Sequence, residues 1–309
     1  MFSLKLLSPS IRTKPIYSSI RYFSSTRITR NESIETVDLA FEEFKGLNPE
    51  KSPVIILHGL FGSKANNRTV AKQLSEKLKR NIYCLDLRNF GSSPHINRLD
   101  YPSLSADVEK WILNQKFSEK PILVGHSMGA KTVMALALRK PDIPKMIVSV
   151  DNAPITFGNT DSKFNKYINQ LRIALEKYHY TNIKDVDSKL EEVEPNKVIR
   201  QFVLMNLNRG KKDEPVTSKI PLEIIGNAIS KGMIASWPYS SQDYRWTGPA
   251  LFIRGTESKY IPDDIIPEIS NFFPNFEIKD IESGHWVISE KPKEFMEVIV
   301  DYIERQEDE

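Results

Sequence analysis

One stretch of the sequence carries the residue types that a serine nucleophile needs. In Pro121-Ile-Leu-Val-Gly-His-Ser-Met-Gly-Ala130, the apolar residues 122–124 predict a buried strand, and residues 130–138 predict a helix. Between them, Gly125-x-Ser127-x-Gly129 predicts a tight turn, because neighbours without a Cβ allow the backbones around the serine to pack closely. The turn places Ser127 at a helix N-terminus, where backbone N–H groups stabilise an oxyanion. We therefore predict that Ser127 is a catalytic nucleophile.

A serine nucleophile needs a base, and the sequence offers five histidines. In hydrolases built around this strand–turn–helix motif, the base follows the final strand of the sheet. Only His285 meets that condition, in Ile281-Glu-Ser-Gly-His-Trp286. We predict that His285 is the base, that His126 packs beneath the turn, and that His58 stabilises its own loop.

The acid that would orient His285 has two candidate positions. Asp151 directly follows the predicted strand 145–150, whereas Glu257 lies in the turn after a later strand. Many hydrolases of this kind carry the acid in that later turn as Gly-x-x-Asp, but here the slot reads Gly255-Thr-Glu-Ser258. We favour Asp151 and keep Glu257 as the alternative; either would fix the imidazole tautomer and stabilise its charged form.

Two backbone N–H groups are predicted to bind the oxyanion. One comes from the residue after the nucleophile, and the other from the loop that follows an early strand, here His58-Gly-Leu-Phe-Gly62. We assign them to Met128 and Leu60. A second loop at the same edge contains Arg88, which we expect to anchor neighbouring loops, with contact to an acyl-CoA phosphate as the alternative.

Strands alternate with helices along most of the chain. This alternation predicts an α/β fold, in which a mostly parallel sheet is covered by helices on both faces and binds ligands beyond the carboxyl ends of its strands. The first strand is expected at an antiparallel edge. The predicted strands span 36–44, 52–57, 81–86, 122–124, 145–150, 249–253 and 275–281, and the helices of the core span 70–79, 104–115, 130–138 and 293–305.

A helical insertion is predicted between the strands 145–150 and 249–253, where no strand is evident. We predict an inserted lid over residues 157–245, with the core formed by residues 31–156 and 246–309. The predicted lid helices span 164–178, 186–193, 196–208 and 222–231.

Residues 1–30 differ in composition from the rest of the chain. They contain six Lys and Arg residues, frequent serines and no acidic residue, which is typical of a mitochondrial transit peptide. Arg21-Tyr-Phe-Ser-Ser25 resembles a processing site, with cleavage expected near Phe23/Ser24. Without residues 1–30 the formal net charge changes from +3 to −3, so the remaining chain is not expected to bind nucleic acid.

Composition places the chain among soluble globular proteins. Hydrophobic residues make up 40% and charged residues 27% of the 309 positions. Cys84 is the single cysteine and lies in a predicted strand, so we expect a buried, inert thiol and no intrachain disulfide. No apolar run is long enough to span a bilayer. We expect no metal and no cofactor.

Five motifs together resemble one branch of the α/β-hydrolases over roughly residues 35–305. This branch contains yeast ethanol acetyltransferases, the mitochondrial α/β-hydrolase domain-containing protein 11 of animals, and short-chain bacterial esterases. The resemblance implies an α/β-hydrolase fold and a triad of Ser127, Asp151 and His285. The motifs are His58-Gly-Leu-Phe-Gly62, Asp86-Leu-Arg-Asn-Phe-Gly-Ser-Ser-Pro-His95, Gly125-His-Ser-Met-Gly129, Val150-Asp-Asn-Ala-Pro154 and Ser283-Gly-His285.

The resemblance also implies a reaction. The expected activity is transfer of acetyl from acetyl-CoA, as a substrate, to ethanol, with hydrolysis of esters and thioesters as side activities. Its partners would be a small acyl thioester or ester and a short alcohol. The first alternative is a mitochondrial short-chain carboxylesterase or thioesterase without significant transferase activity. The second is a non-catalytic binding partner of a matrix enzyme complex.

Overall fold

The computed structural model describes residues 34–158, 163–210 and 213–308. The predictions on residues 1–30 lie outside this part of the chain. In chain order, the strands within it are β1 (Phe41–Phe44), β2 (Val54–Leu57), β3 (Ile82–Leu85), β4 (Ile122–His126), β5 (Met146–Val150), β6 (Leu207–Asn208), β7 (Thr217–Ser218), β8 (Ala250–Gly255) and β9 (Phe276–Ile281).

The main sheet has the order β1-β3-β2-β4-β5-β8-β9. β1 pairs with β3 in the antiparallel direction, and every other pair in this sheet is parallel. This architecture confirms the predicted α/β fold and its antiparallel edge strand. The edge strand is shorter than predicted, because two N–H groups before it donate to the side chains of Asp107 and Ser93 instead of a neighbouring strand.

Helices cover both faces of the sheet. In chain order they are α1 (Arg68–Leu78), α2 (Tyr101–Gln115), α3 (Met128–Arg139), α4 (Lys163–Arg172), α5 (Ile183–Glu191), α6 (Lys197–Leu204), α7 (Leu222–Ser230), α8 (Ile266–Phe272), α9 (Val287–Glu290) and α10 (Pro292–Asp308). Alternate residues of each strand point to opposite faces, so Val54 and Ile56 pack on one side with α1 and α10, while Ile55 and Leu57 pack on the other with α2 and α3.

The register of the parallel strands aligns their carboxyl ends. Leu57 lies opposite Gly125 across β2 and β4, His126 opposite Val150, and Val150 opposite Ile253. The residues that follow these strands therefore meet at one edge of the sheet. Cys84 lies in β3 and is buried, and burial raises the pKa of its thiol to about 12, so the thiol stays protonated.

Helices α4 to α7 form the inserted segment between β5 and β8. α4 continues into a turn of π-helix at Ile173–Lys177, and Asn182 and Asn196 cap α5 and α6 by accepting hydrogen bonds from backbone N–H groups. The expectation that this segment contains no strand was wrong. β6 and β7 pair over two residues each, and this short antiparallel ladder ends the helix that had been predicted to reach residue 208.

One buried lysine binds both chain segments that connect this insertion to the core, which together we call the neck of the insertion. Lys131, on α3, donates to the carbonyls of Ile155 on the incoming side and of Ala235 and Ser236 on the outgoing side, at 2.8, 3.0 and 3.2 Å. Its ammonium also lies 4.8 Å from the ring centroid of Phe157. Burial lowers the pKa of Lys131 to about 7. The three carbonyls oppose that effect, because a neutral amine has only two N–H groups to donate.

Candidate active site

Ser127 occupies the turn between β4 and α3 in a conformation that non-glycine residues rarely adopt. Its φ is 54° and its ψ is −112°. A Cβ at Gly125 would collide with the backbone of Gly129, and a Cβ at Gly129 would collide with the carbonyl of Leu57. Both glycines are therefore required for β2, β4 and α3 to approach one another. Asn152 holds the turn by donating to the Ser127 carbonyl at 3.1 Å.

The structure brings the three residues predicted as a triad into one hydrogen-bonded chain. The Ser127 Oγ lies 2.9 Å from Nε2 of His285, and Nδ1 of His285 lies 2.7 Å from Oδ2 of Asp151. We assign the proton of the imidazole to Nδ1, because a carboxylate only accepts hydrogen bonds. Nε2 is then free to accept the serine proton. This arrangement suits nucleophilic attack with general-base assistance.

Asp151, not Glu257, faces the imidazole. The Asp151 carboxylate is buried and also accepts hydrogen bonds from the Ser258 Oγ at 2.5 Å and from the Gly255 N–H at 3.1 Å. Ser258 occupies the slot in which related hydrolases carry their acid, so it supports the carboxylate from the neighbouring strand. Glu257 is exposed, and its backbone N–H donates to the carbonyl of Ser283.

Two further residues hold His285 in place. Tyr260 stacks on its ring, with ring centroids 4.0 Å apart and an interplanar angle of 20°. His126 donates from Nε2 to the His285 carbonyl at 2.8 Å. Burial, with a smaller contribution from nearby His285, lowers the pKa of His126 to about 4. His126 is therefore neutral at neutral pH and adds no positive charge beside the triad.

The predicted oxyanion donors lie beside Ser127. Leu60 and Met128 line the same cavity as the nucleophile, and neither backbone N–H donates a hydrogen bond within the part of the chain that the structure describes. The Leu60 loop is fixed by His58, whose ring contacts the Gly59 carbonyl at 2.8 Å through Nδ1 and accepts from the Leu87 N–H at 3.0 Å through Nε2. Burial lowers the pKa of His58, which keeps its ring neutral.

A cavity of about 540 Å³ opens above Ser127 and His285. The core contributes Leu60, Met128 and Trp286 to its lining, and the helical insertion contributes most of the rest. Apolar and aromatic side chains dominate the lining, which favours uncharged substrate groups. The residues from the insertion and its neck are Phe157, Lys163, Phe164, Tyr167, Glu194, Ile199, Ile229, Gly232, Ile234 and Ala235.

Two roles were predicted for Arg88, loop anchoring and contact with an acyl-CoA phosphate, and its contacts support loop anchoring. It is fully buried and donates to both carboxylate oxygens of Asp107, at 2.5 and 2.7 Å. It also donates to the Glu35 carbonyl at 2.9 Å. A fully buried guanidinium with these partners anchors loops and cannot contact a CoA phosphate.

Several contributors to the site carry no signal of their own in the sequence. Ser258, Tyr260, Asn152 and Glu194 belong to common residue types and lie far from Ser127 along the chain. The one signal in the sequence was the Gly255-Thr-Glu-Ser258 turn, which has Ser258 at the position where the Gly-x-x-Asp pattern has an acid. Within the described ranges, the structure contains no cluster of His, Cys, Asp or Glu able to hold a metal ion, and no helix long and apolar enough to cross a membrane.

Comparisons with known proteins identify relatives of this chain. The chain is 43% identical over 270 residues to a probable alcohol acetyltransferase of Saccharomyces cerevisiae, covering 84% of this chain and 79% of that protein. It is 35% identical to the sn-1-specific diacylglycerol lipase ABHD11 of Xenopus laevis, covering 91% and 89% of the two chains. A marine microorganism esterase of known structure superposes with a TM-score of 0.76 at 32% identity, over 86% of this chain and 99% of that one.

These relatives confirm the resemblance drawn from the motifs. They support an acyltransferase or hydrolase that acts on small molecules. Residues 52–292 match the family described as alpha/beta hydrolase fold. Because that match covers most of the chain, this protein belongs to the α/β-hydrolase fold family.

Proposed function

We propose that this protein transfers an acetyl group from acetyl-CoA to ethanol through an acetyl-enzyme on Ser127, and hydrolyses esters and thioesters as side activities. The observation that carries the proposal is the hydrogen-bonded chain from Ser127 through His285 to Asp151 at the floor of an apolar cavity. The similarity to a probable alcohol acetyltransferase supports alcohol as the acceptor.

In the first half-reaction, His285 acts as the base. Nε2 accepts the proton of Ser127 while Oγ attacks the thioester carbonyl carbon, and the N–H groups of Leu60 and Met128 stabilise the resulting oxyanion. Collapse of this tetrahedral species breaks the C–S bond. The proton on Nε2 passes to the departing sulfur, so CoA leaves as the free thiol and Ser127 carries the acetyl group.

In the second half-reaction, the acceptor repeats the same steps in reverse. Nε2 takes the hydroxyl proton of ethanol as the ethanol oxygen attacks the acetyl carbon. The bond between the acetyl carbon and the Ser127 Oγ then breaks, Nε2 returns the proton to Oγ, and ethyl acetate leaves. Water in the same position gives acetate instead of ethyl acetate. The apolar lining from the helical insertion favours alcohol over water, because it offers water few hydrogen-bond partners.

A carboxylesterase or thioesterase without useful transferase activity is the second candidate. The marine microorganism esterase and the diacylglycerol lipase among the relatives favour it. A non-catalytic binding protein has less support, because binding alone does not require an imidazole within hydrogen-bond distance of both a serine and a buried carboxylate.

The direct test is turnover of acetyl-CoA with and without ethanol. Free thiol reports total turnover, and gas chromatography of ethyl acetate reports transfer. We expect Ser127→Ala to lower both signals by about 10³-fold or more, since both pass through one acetyl-enzyme. Ser188→Ala, a change at an exposed position on α5, is the matched control. Thiol release without ethyl acetate would favour the hydrolase, and full activity of Ser127→Ala would refute the mechanism.

We also propose that residues 1–30 direct the protein to mitochondria. Their six basic residues, their serines and the absence of an acidic residue support this.

A further inference from the structure

Among the residues that the structure describes, the lining of the apolar cavity contains one carboxylate that the proposed reaction does not use. Glu194 lies between α5 and α6, and its side chain is only 3% exposed. It lines the same cavity as Ser127 and His285. The carboxylate therefore belongs to the wall that a bound substrate would contact.

The hydrogen bonds of this carboxylate come from uncharged groups. The Asn196 N–H donates to Oε1 at 2.9 Å, and the Tyr167 hydroxyl donates to Oε2. Burial, the hydrogen bond to Glu194 and its negative charge all raise the pKa of Tyr167, so this hydroxyl stays protonated. The contacts hold the carboxylate in place, but neither of them brings a positive charge to it.

The nearby cations compensate this charge weakly. Lys163 lies 3.9 Å away, but its side chain is 73% exposed and the interaction is screened by solvent. Arg200 is directed elsewhere: Nη1 donates to the backbone carbonyl of Glu194 and Nε pairs with Asp187. Lys259, which also lines the cavity, is exposed.

We propose that Glu194 makes this cavity select substrates by charge, rejecting groups that end in a carboxylate and accepting neutral or cationic ones. This inference rests on the proposed function, because it concerns substrates of the Ser127 site. A second anion in a largely apolar space would be repelled by Glu194 and would lose its hydration. A cationic group would gain the opposite interaction, and the aromatic lining would add to it.

A purely structural role for Glu194 makes a different prediction. The carboxylate also ties the α5–α6 loop to α4 through Tyr167. Glu194→Gln removes the charge while keeping the size of the side chain and an oxygen that can accept a hydrogen bond. Loss of a structural tie would change the turnover of all substrates in one direction, whereas loss of a charge must change anionic and cationic substrates in opposite directions.

The experiment compares kcat/KM for p-nitrophenyl esters matched in acyl length. The neutral probes are the hexanoate and octanoate, the anionic probes are the adipate and suberate monoesters, and the cationic probe is a hexanoate ending in trimethylammonium. For Glu194→Gln we expect kcat/KM to rise about tenfold with the anionic esters and to fall with the cationic ester. The neutral esters should change by about threefold or less.

The matched control is Glu192→Gln, which removes the same charge from an exposed lid residue that pairs with Lys189. It should leave all ratios unchanged. Lys163→Gln should disfavour the anionic esters further, because it removes the cation nearest Glu194. Equal changes for every ester in Glu194→Gln, or identical behaviour of Glu192→Gln, would overturn the proposal.

Binding to an inactive protein separates this inference from the proposed function. In Ser127→Ala, titration calorimetry with the hexanoate and the adipate monoester should give weaker binding of the adipate, and Glu194→Gln in that background should reduce the difference. Equal binding of the two esters by Ser127→Ala, or an unchanged difference in the double variant, would refute the role of Glu194 even if Ser127 is the nucleophile. Undiminished turnover by Ser127→Ala would instead refute the proposed function, and the charge preference would then be judged from the kcat/KM ratios alone.

Discussion

Replacing Asp151 by asparagine separates the two candidate acids and tests the proton assignment on His285. The Gly255 N–H donates to Oδ1 of Asp151, so an amide at this position is held with its oxygen toward Gly255. Its NH₂ group then takes the place of Oδ2, which faces Nδ1 of His285. In the reversed orientation, the NH₂ group of the amide would face the Gly255 N–H. Two donors would then meet and one would stay unpaired, at a cost of about 1–3 kcal/mol.

This constraint changes the tautomer of the imidazole. With an NH₂ group opposite it, Nδ1 of His285 must accept, so the ring proton moves to Nε2, which then faces the Ser127 Oγ as a donor. The base is lost while the geometry is kept. For a buried acid in this role we expect kcat to fall by about 10⁴-fold, which corresponds to about 5 kcal/mol in the activation free energy. KM should change much less.

The assay is hydrolysis of p-nitrophenyl acetate together with ethyl acetate formation from acetyl-CoA. Thermal melting followed by circular dichroism checks that each variant is folded. Glu257→Gln is the control, and because Glu257 is exposed we expect a change of about twofold or less. An active Asp151→Asn beside an inactive Glu257→Gln would refute the assignment and return the acid to the later turn.

Three smaller predictions follow from neighbouring contacts and from the N-terminus. Ser258→Ala removes one donor from the Asp151 carboxylate and should lower kcat about tenfold, measured with the same esters. His126→Gln should flatten the pH dependence of the unfolding free energy, measured in urea, while His179→Gln, at an exposed position, should not. The pKa of His126 is about 4 when folded against 6.5 when unfolded, so the contribution of His126 to the unfolding free energy falls by about 3 kcal/mol as the pH drops through that window. A chain lacking residues 1–23 should stay active in vitro and fail to enter isolated mitochondria; normal import would exclude a targeting role.

Local patterns allowed the sheet to be predicted well. Buried parallel strands read as apolar runs such as residues 54–57 and 122–124, and helices with strong amphipathic patterns were found to within a few residues. The errors lie at helix ends and in short helices. α2 begins at Tyr101 because Asp100 and Ser103 form a capping box there, and the short α8 and α9 were missed because helices of this length have little periodicity.

The site was predictable to the extent that its residues lie directly after strands. Ser127 and Asp151 follow this rule, and His285 is separated from the end of β9 by three residues. The structure brings the three together. Ser258 and Glu194 could not be assigned in advance. Ser258 contributes because it lies beside Asp151, in the turn after the neighbouring strand, and Glu194 because the lid places it in the cavity wall. Both positions are set by tertiary packing.

Two strained residues make the site depend on the stability of the sheet. Ser127 and Asp151 directly follow the neighbouring strands β4 and β5, and both adopt positive φ, 54° and 51°. Each still donates its N–H to the next strand, to Val150 at 3.0 Å and to Ile253 at 2.8 Å. The ladder therefore continues one residue beyond each strand before the backbone turns. Such conformations cost roughly 1–3 kcal/mol each and persist only where the surrounding structure enforces them. Here the enforcement comes from the packed strands themselves, so a substitution that loosens β4 or β5 should lower activity before it unfolds the protein.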